Sequence, residues 1–479
     1  MKNQKFAFSV LTASVLMCFS STTIATPYID FGYFESRFQT IQTHIQGATE
    51  SFDTAKPVNQ QKVQITASPN AEVLTFKKLD QKSAVFFGRN IVNVFEGAEL
   101  TVSGSSIMSE GGAIFVATED SSTAKVGSKD TKSLNINVGD SAADAIGNST
   151  IEFDAQEISI KATKSLSREL LNSKGGSTIA VGRNANKVNL LTYRKGEADE
   201  NLARTAYGIK TVYDETSNVG GHIELKGKSI TLDVKAEIEA IGTFASAGSQ
   251  INIGDESTDS VAISTISTKK FSDYANLKPN KQPDAKTFKT YGLWVNRQKE
   301  HDANGGQLTV NAHNSINISA EGTTDVRGVH VGTNELTPTK LPSKLSLKAQ
   351  DIRITAISND QTKRAIGISA MSAGQVEIIG NTTITADDVI VARGNSKIDI
   401  NTNSGNTHST TLVGDINFSF DKLSSGTAVD ANVNVNLTGQ NSSWTGNSIV
   451  TWGEPTTNPD HCCPRTILNS VFGQLGSTQ

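Results

Sequence analysis

Cysteine is nearly missing from this chain, which carries three in 479 residues: Cys18, Cys462 and Cys463. No disulfide network can staple the long body between them, which excludes the small secreted scaffold held by bridges. Cys462 and Cys463 are adjacent, and such a pair can join only through a strained local bridge. Proline is scarce at 10 residues, and aromatics make up 6%. Neither sign of charge dominates, with 44 Lys and Arg against 48 Asp and Glu. That balance lacks the concentrated positive charge a phosphate backbone demands, so nucleic acid is not an expected partner. The 36% hydrophobic content is in turn too high for a disordered polyelectrolyte. After residue 19 no apolar run is long enough to cross a bilayer as a helix. After residue 50 the three-and-four spacing of helical repeats is missing, as is the Leu and Asn ladder of leucine-rich repeats.

The N-terminus reads as an address. Lys2 and Lys5 precede an apolar stretch from Phe6 to Phe19, and Ser20, Ser21, Thr22, Thr23, Ile24 and Ala25 follow before Pro27. A positive start, an apolar centre and a small-residue exit describe a secretory signal peptide over residues 1–25, cleaved after Ala25. The chain is expected at the cell surface, in the outer membrane or outside the cell. Phe31, Phe34, Phe38, Ile41 and Ile45 then recur at spacings of three and four. This predicts an amphipathic helix, with Asp30 as N-cap and Gly47 as stop. Residues 26–60 are read as a helical cap over the open end of a sheet.

From about Gln64 the pattern becomes short period-two bursts punctuated by Gly, Asn, Ser and Asp. Ile151, Phe153, Ile158 and Ile160 have the same offsets as Ile223, Leu225, Ile230 and Leu232, and as Leu345, Leu347, Ile352 and Ile354. Leu308, Val310, Ile316 and Ile318 differ by one inserted residue. A second unit repeats at Ala240-Ile241-Gly242 and Ala365-Ile366-Gly367, with looser copies at Tyr207-Gly208-Ile209, Tyr291-Gly292-Leu293 and Arg327-Gly328-Val329. Self-similar strand pairs joined by short polar corners point to an all-β fold, a right-handed parallel β-helix over residues 61–452. At ~20–25 residues per coil and about 4.8 Å per stacked strand, the body is expected to be a rod ~80–100 Å long. Stretches 183–204, 268–287 and 334–344 break the pattern and read as loops leaving the corners. Residues 453–479 read as a linker-like tail without strand alternation.

The signal peptide, the Ser/Thr/Asn/Gly-rich β-repeats and phrases such as Ala365-Ile366-Gly367-Ile368-Ser369-Ala370 resemble passenger domains of the type V autotransporters of Gram-negative bacteria. Thr411-Leu412-Val413-Gly414-Asp415-Ile416, Val433-Asn434-Val435-Asn436-Leu437 and above all Ser442-Ser443-Trp444-Thr445-Gly446 are similar to the closing coils of such passengers. The resemblance covers about residues 60 to 450 and implies a non-catalytic surface or secreted protein acting in adhesion or host/matrix interaction. It implies two partners: an outer-membrane β-barrel translocator, and a host cell-surface or matrix ligand. No barrel pattern is read after Trp452. The expectation is either a passenger whose barrel was lost by truncation or frameshift, which His461-Cys462-Cys463-Pro464 would fit as an out-of-frame end, or a stand-alone secreted solenoid. The alternative reading is a polysaccharide lyase or glycoside hydrolase built on the same scaffold.

No catalytic, cofactor or metal residue is assigned, and no small-molecule cofactor is expected. The Gly-Asp-Ser-Gly phrase of passenger proteases does not occur, and Gly104-Ser105-Ser106 and Gly367-Ile368-Ser369 read as repeat corners. His44, His222, His301, His313, His330 and His408 are scattered without metal spacing and read as surface residues. Gly221-His222-Ile223 is a poor substitute for the Gly-His-Gly of pectin hydrolases. Asp387 and Asp388 are adjacent, and strand neighbours point to opposite faces, so they read as structural turn carboxylates. Asp255, Glu256 and Asp259 follow Gly254, but without a glycine-rich nonapeptide they are not assigned to calcium. Lys269, Lys270, Lys278 and Lys281 are read as a solvated loop, with recognition as the sharper option.

Overall fold

The computed structural model describes residues 91–420 except 96, 113, 164–168, 195–204, 277–286, 297–304, 334–341, 394–395 and 403–406. It also describes segments 28–30, 34–35, 39–40, 43–46, 62–66, 73–78, 433–437, 442–452 and 466–470. The chain is all-β, with one long, mostly parallel sheet wound as a β-solenoid. Each coil gives one strand to each of three stacks. The first stack runs from Lys62–Thr66 through Glu99–Ser103 to Val433–Leu437 and Thr466–Ser470. The second runs from Leu74–Lys78 to Ser443–Thr445, and the third from Val92–Phe95 to Ser448–Trp452. Twelve such coils stack among the described residues. In the late coils Lys344–Ser358, Gln375–Arg393 and Thr410–Phe420 pass a corner without a break, at the cost of register shifts such as Thr385/Asp388.

Parallel in-register stacking places like residues over like. In the second stack Ile136, Ile160, Leu190, Leu232, Ile263, Ile318, Ile354, Ile384 and Leu412 form one unbroken column. All nine are buried. At about 1.5–3 kcal/mol for each fully buried aliphatic, columns such as this one hold the coils together. The four sets of offset-matched residues read from the sequence all lie in such columns. Near the N-terminal end the core turns aromatic, with Phe115 between Phe76 at 5.6 Å and Phe153 at 6.1 Å. The aliphatic column ends on Trp444, which pairs with Leu412 and donates its indole N–H to the Gly414 carbonyl at 2.9 Å.

Glycine acts in two ways. Gly127 and Gly254 turn the corner from first to second stack with φ of 82° and 73°. A Cβ at either would lie 2.1 Å from the carbonyl oxygen of Asp154 or Asn311 in the next coil, so only Gly fits. The five glycines of the Ala-Ile-Gly unit and its looser copies, Gly208, Gly242, Gly292, Gly328 and Gly367, form a second device. They stack in successive coils of the third stack, each of the first four against the carbonyl of the next glycine. A Cβ on any of them would also meet a column residue of the second stack, for example Ile354 at 2.5 Å from Gly328. They are there for close approach.

Several expectations are corrected. The segment expected to be a helical cap carries strands where it is described: Tyr28–Asp30, Phe34–Glu35, Gln39–Thr40 and Thr43–Gln46. Two of these pair antiparallel, Tyr28–Asp30 with Val92–Phe95 and Thr43–Gln46 with Leu74–Lys78, so they cover first-coil edges as the helix was expected to do. The segment is rich in Phe, Ile and Thr, which favour strands, and an edge offering hydrogen bonds outweighs helical periodicity. Phe31, Phe38 and Ile41 lie outside the described residues, as do the signal segment 1–25 and His461 to Cys463. The stretch 183–204 is not all loop, because Lys187–Tyr193 is a strand with Val188 and Leu190 buried. Thr466–Ser470 is a strand pairing with Val433–Leu437, so the tail is not all linker. Coils vary from the span Gln375 to Lys397 up to Gln250 to Gln307, longer than expected. Twelve stacked layers then give a rod of about 60 Å rather than ~80–100 Å.

Candidate functional site

The third stack differs from the other two on its outer face. The register of the third stack skips each ladder glycine, the glycine and the residue after it are buried, and the residue before and the second residue after stack in rows of their own. Aligning the five glycines gives two outer rows. The first holds Tyr207, Ile241, Tyr291, Arg327 and Ile366, and the second Lys210, Phe244, Trp294, His330 and Ser369. Scattered in the sequence, they form one wall across five coils.

Ring contacts knit the wall. Phe244 meets Trp294 edge-to-face at 4.7 Å and Tyr207 at 6.0 Å, and Trp294 meets Tyr291 at 5.2 Å. Cations lie on the ring faces: Lys210 Nζ is 4.8 Å from the Tyr207 centroid, Lys289 Nζ 5.4 Å from that of Trp294, and the Arg327 guanidinium 5.1 Å from that of Tyr291. Tyr207, Lys210, Phe244, Lys289 and Trp294 are half-buried, so this half of the wall reaches solvent.

The other half is a buried polar network. Arg327 donates through Nε and Nη2 to both Asp325 carboxylate oxygens, at 2.8 and 3.1 Å, and through Nη1 to Ser369 Oγ at 3.2 Å. Tyr291 donates its hydroxyl to Asp325 as well. Burial is the main reason the Tyr291 phenol titrates well above its ordinary range, and the Asp325 charge adds to it. His330 is 2% exposed and lies 3.0 Å from Arg327 Nη1 through Nδ1. Burial first, then the charge of Arg327, holds its pKa well below the usual imidazole value, so it accepts as the neutral ring. His330 is thus not the surface residue expected from sequence. It packs against Tyr291 and Trp294.

Carboxylates along the same wall are held by neighbours. Glu169 accepts from Lys210 Nζ at 2.6 Å and Glu239 from Thr205 Oγ1 at 2.9 Å. Burial raises the Glu239 pKa. Further along, Asp144 accepts from Asn172 Nδ2 at 2.8 Å, and burial, with Glu169 and Glu119 nearby, pushes its pKa up to about 6.

The residues weighed in the sequence fall elsewhere. Asp387 and Asp388 lie at the register shift of Gln375–Arg393 and both engage the Arg364 region. Asp388 takes a forked pair from Arg364 Nε and Nη2 at 3.0 and 2.9 Å, while Asp387 Oδ2 accepts from the Ala365 N–H at 2.8 Å. Arg364 also bridges to Asp415 at 2.6 Å, beside a shallow groove of about 500 Å³. Asp255 accepts from the Ser257 N–H and hydroxyl, and Glu256 lies 3.9 Å from Lys348. Among the described residues no group of three or more His, Cys, Asp or Glu is placed to hold a metal ion. Ser106 and Ser369 sit within strands rather than corners, because the corner precedes Ser106 and the Gly367 unit runs straight through. His222 is half-buried, His313 is exposed, and His44 and His301 lie where side chains are not described. In the loop 268–287, Phe271–Tyr274 forms a 3-10 turn whose Tyr274 packs on Phe288 and Ile238. Lys278 and Lys281 fall outside the described residues.

No family model matches the chain, and no curated protein or solved structure is significantly similar to it.

Proposed function

We propose that this chain is an exported passenger of the autotransporter kind, a right-handed parallel β-helix that binds a host cell surface or matrix without catalysis. Its export partner in this reading is an outer-membrane β-barrel translocator. The observation that carries the proposal is the half-exposed aromatic and cationic wall of the third stack, a recognition surface on a rigid frame. Repetition of contacts along a stacked rod lets weak encounters add. Trp444, at the end of the aliphatic column, supports the reading of its phrase, which resembles passenger C-termini, as a plug.

The alternative, polysaccharide cleavage, needs two carboxyl groups free to exchange protons on either side of one bond. Glu169, Asp325 and Asp388 are each committed to a Lys or Arg, and Glu239 to Thr205. Such pairing favours a structural role for them. The test sets the purified full chain against cultured host cells and immobilised matrix, and in parallel follows release of reducing ends from plant and host polysaccharides. Saturable binding without release supports the proposal. Release of oligosaccharides at catalytic rates overturns it in favour of the enzyme.

A further inference from the structure

The wall also indicates the chemical class of the ligand, an inference that rests on the binding function proposed above. Three facts restrict the choice. First, the third stack offers an incoming chain no free edge across these coils, because each strand is bonded to the coil on either side. An extended peptide has no main-chain bonds to make there, so recognition must come from side chains. Second, the exposed part of the wall presents ring surface from Tyr207, Phe244 and Trp294 in three consecutive coils. Ring faces accept flat C–H surfaces, and the half-buried Lys210, Glu239 and Lys289 around them supply polar contacts. Third, the cations are not equivalent. Lys210 and Arg327 are committed to Glu169 and Asp325. Lys289 lies over the Trp294 ring with no carboxylate of the described residues within ion-pair distance, and the nearby Glu239, whose pKa burial raises and the Lys289 charge lowers, is bonded to Thr205.

We infer that the wall binds an acidic glycan. A pyranose ring packs against Trp294, which stands edge-to-face to Phe244, and its carboxylate or sulfate pairs with Lys289. The shared chemistry is a sugar ring bearing an anionic group, from a uronate-containing or a sulfated polymer.

The experiment titrates the full chain with three defined oligosaccharide sets of equal length: hyaluronate fragments carrying uronate alone, heparan-type fragments carrying sulfate, and neutral cello-oligosaccharides. Calorimetry reads affinity, and binding to host cells is measured alongside. Acidic fragments are expected to bind, neutral ones to bind at least about tenfold more weakly, and added salt to weaken the acidic binding. Whichever of the first two sets binds more tightly identifies the anionic group. Lys289→Gln is expected to lose about tenfold in affinity for the acidic set, Lys289→Arg to retain it, and Trp294→Ala to abolish it. Because Lys289 is half-buried on the outer face, its variants keep the core and guard against misfolding of the Trp294 variant. Equal binding of neutral fragments, or an unaffected Lys289→Gln, overturns the inference. So does cell binding that persists when no acidic fragment is bound, which leaves adhesion standing on a protein ligand. Loss of both cell and glycan binding overturns the two proposals together.

Discussion

Substituting Gly328 by Ala tests whether the ladder glycines are present for close approach. The added Cβ would stand 2.5 Å from Ile354 Cγ2 and 2.8 Å from the Gly367 carbonyl oxygen. Carbon atoms in packed interiors sit about 3.5–4.0 Å apart, so Ile354 must retreat by about 1 Å. It has nowhere to go, being fully buried between Ile318 and Ile384 in the column. Overpacking of this kind costs about 1–3 kcal/mol. Ile354→Ala alone removes the obstructing methyl and costs about 2–5 kcal/mol for the cavity. In that background Gly328→Ala should cost clearly less, with only the 2.8 Å approach to the Gly367 carbonyl remaining, a coupling that double-mutant cycles resolve. Denaturant unfolding followed by circular dichroism gives the energies, and amide exchange gives the location. Because each coil touches only its neighbours, faster exchange should centre on Asp325–Val331 and Lys344–Ser358 and spare Ser133–Val138. An unchanged stability of Gly328→Ala, or a cost undiminished by Ile354→Ala, would refute the reasoning.

Other outcomes follow from the same geometry. Asp144 binds its proton more tightly in the folded chain, with a pKa near 6 against 3.8 for the unreacted side chain. Between those values the unfolded state ionises first, so stability falls as pH rises through the window, by up to about 3 kcal/mol. Asp144→Asn keeps an acceptor for Asn172 and should flatten that slope in denaturant melts from pH 3.5 to pH 7.5; an identical slope in both proteins would contradict the assignment. Trp444→Ala removes a half-buried plug and its bond to Gly414, and should cost about 1.5–2.5 kcal/mol, roughly half the loss for a fully buried ring. Exchange should quicken at Thr410–Phe420 while Glu157–Ala162 stays protected, and uniform loosening would count against a terminal role.

What could be read in advance was the part of the chain where burial alone selects residue type. Ile223, Leu225, Ile230 and Leu232 point into a column, and any polar replacement there would strand a buried group, so the alternation survives in the letters. The strand Lys187–Tyr193 was missed because charged residues flank a short Val188-Asn189-Leu190 alternation. The N-terminal strands were missed because Phe31 to Ile45 satisfies a helical spacing while the deciding factor, an open edge in the first coil, lies far along the chain. His330 illustrates the limit for sites. Its type alone does not distinguish it from His313, which is exposed, and stacking under Trp294 and over Ser369 buries it. The signal for the wall was nonetheless present. Reading one residue before and two after each of Gly208, Gly242, Gly292, Gly328 and Gly367 recovers both outer rows, including the aromatics, Lys210 and Arg327, though not Lys289.

The solenoid depends on register, and distance between outward positions of the second stack measures register directly. Asn135 and Arg353 are exposed and lie in one row, separated by six coil steps through Ser159, Asn189, Thr231, Ala262 and Asn317. At about 4.8 Å per step, spin labels replacing the two should report a narrow distance distribution near 29 Å by pulsed electron resonance. A broad distribution, or a separation beyond about 45 Å, would show that the coils do not stack in this register.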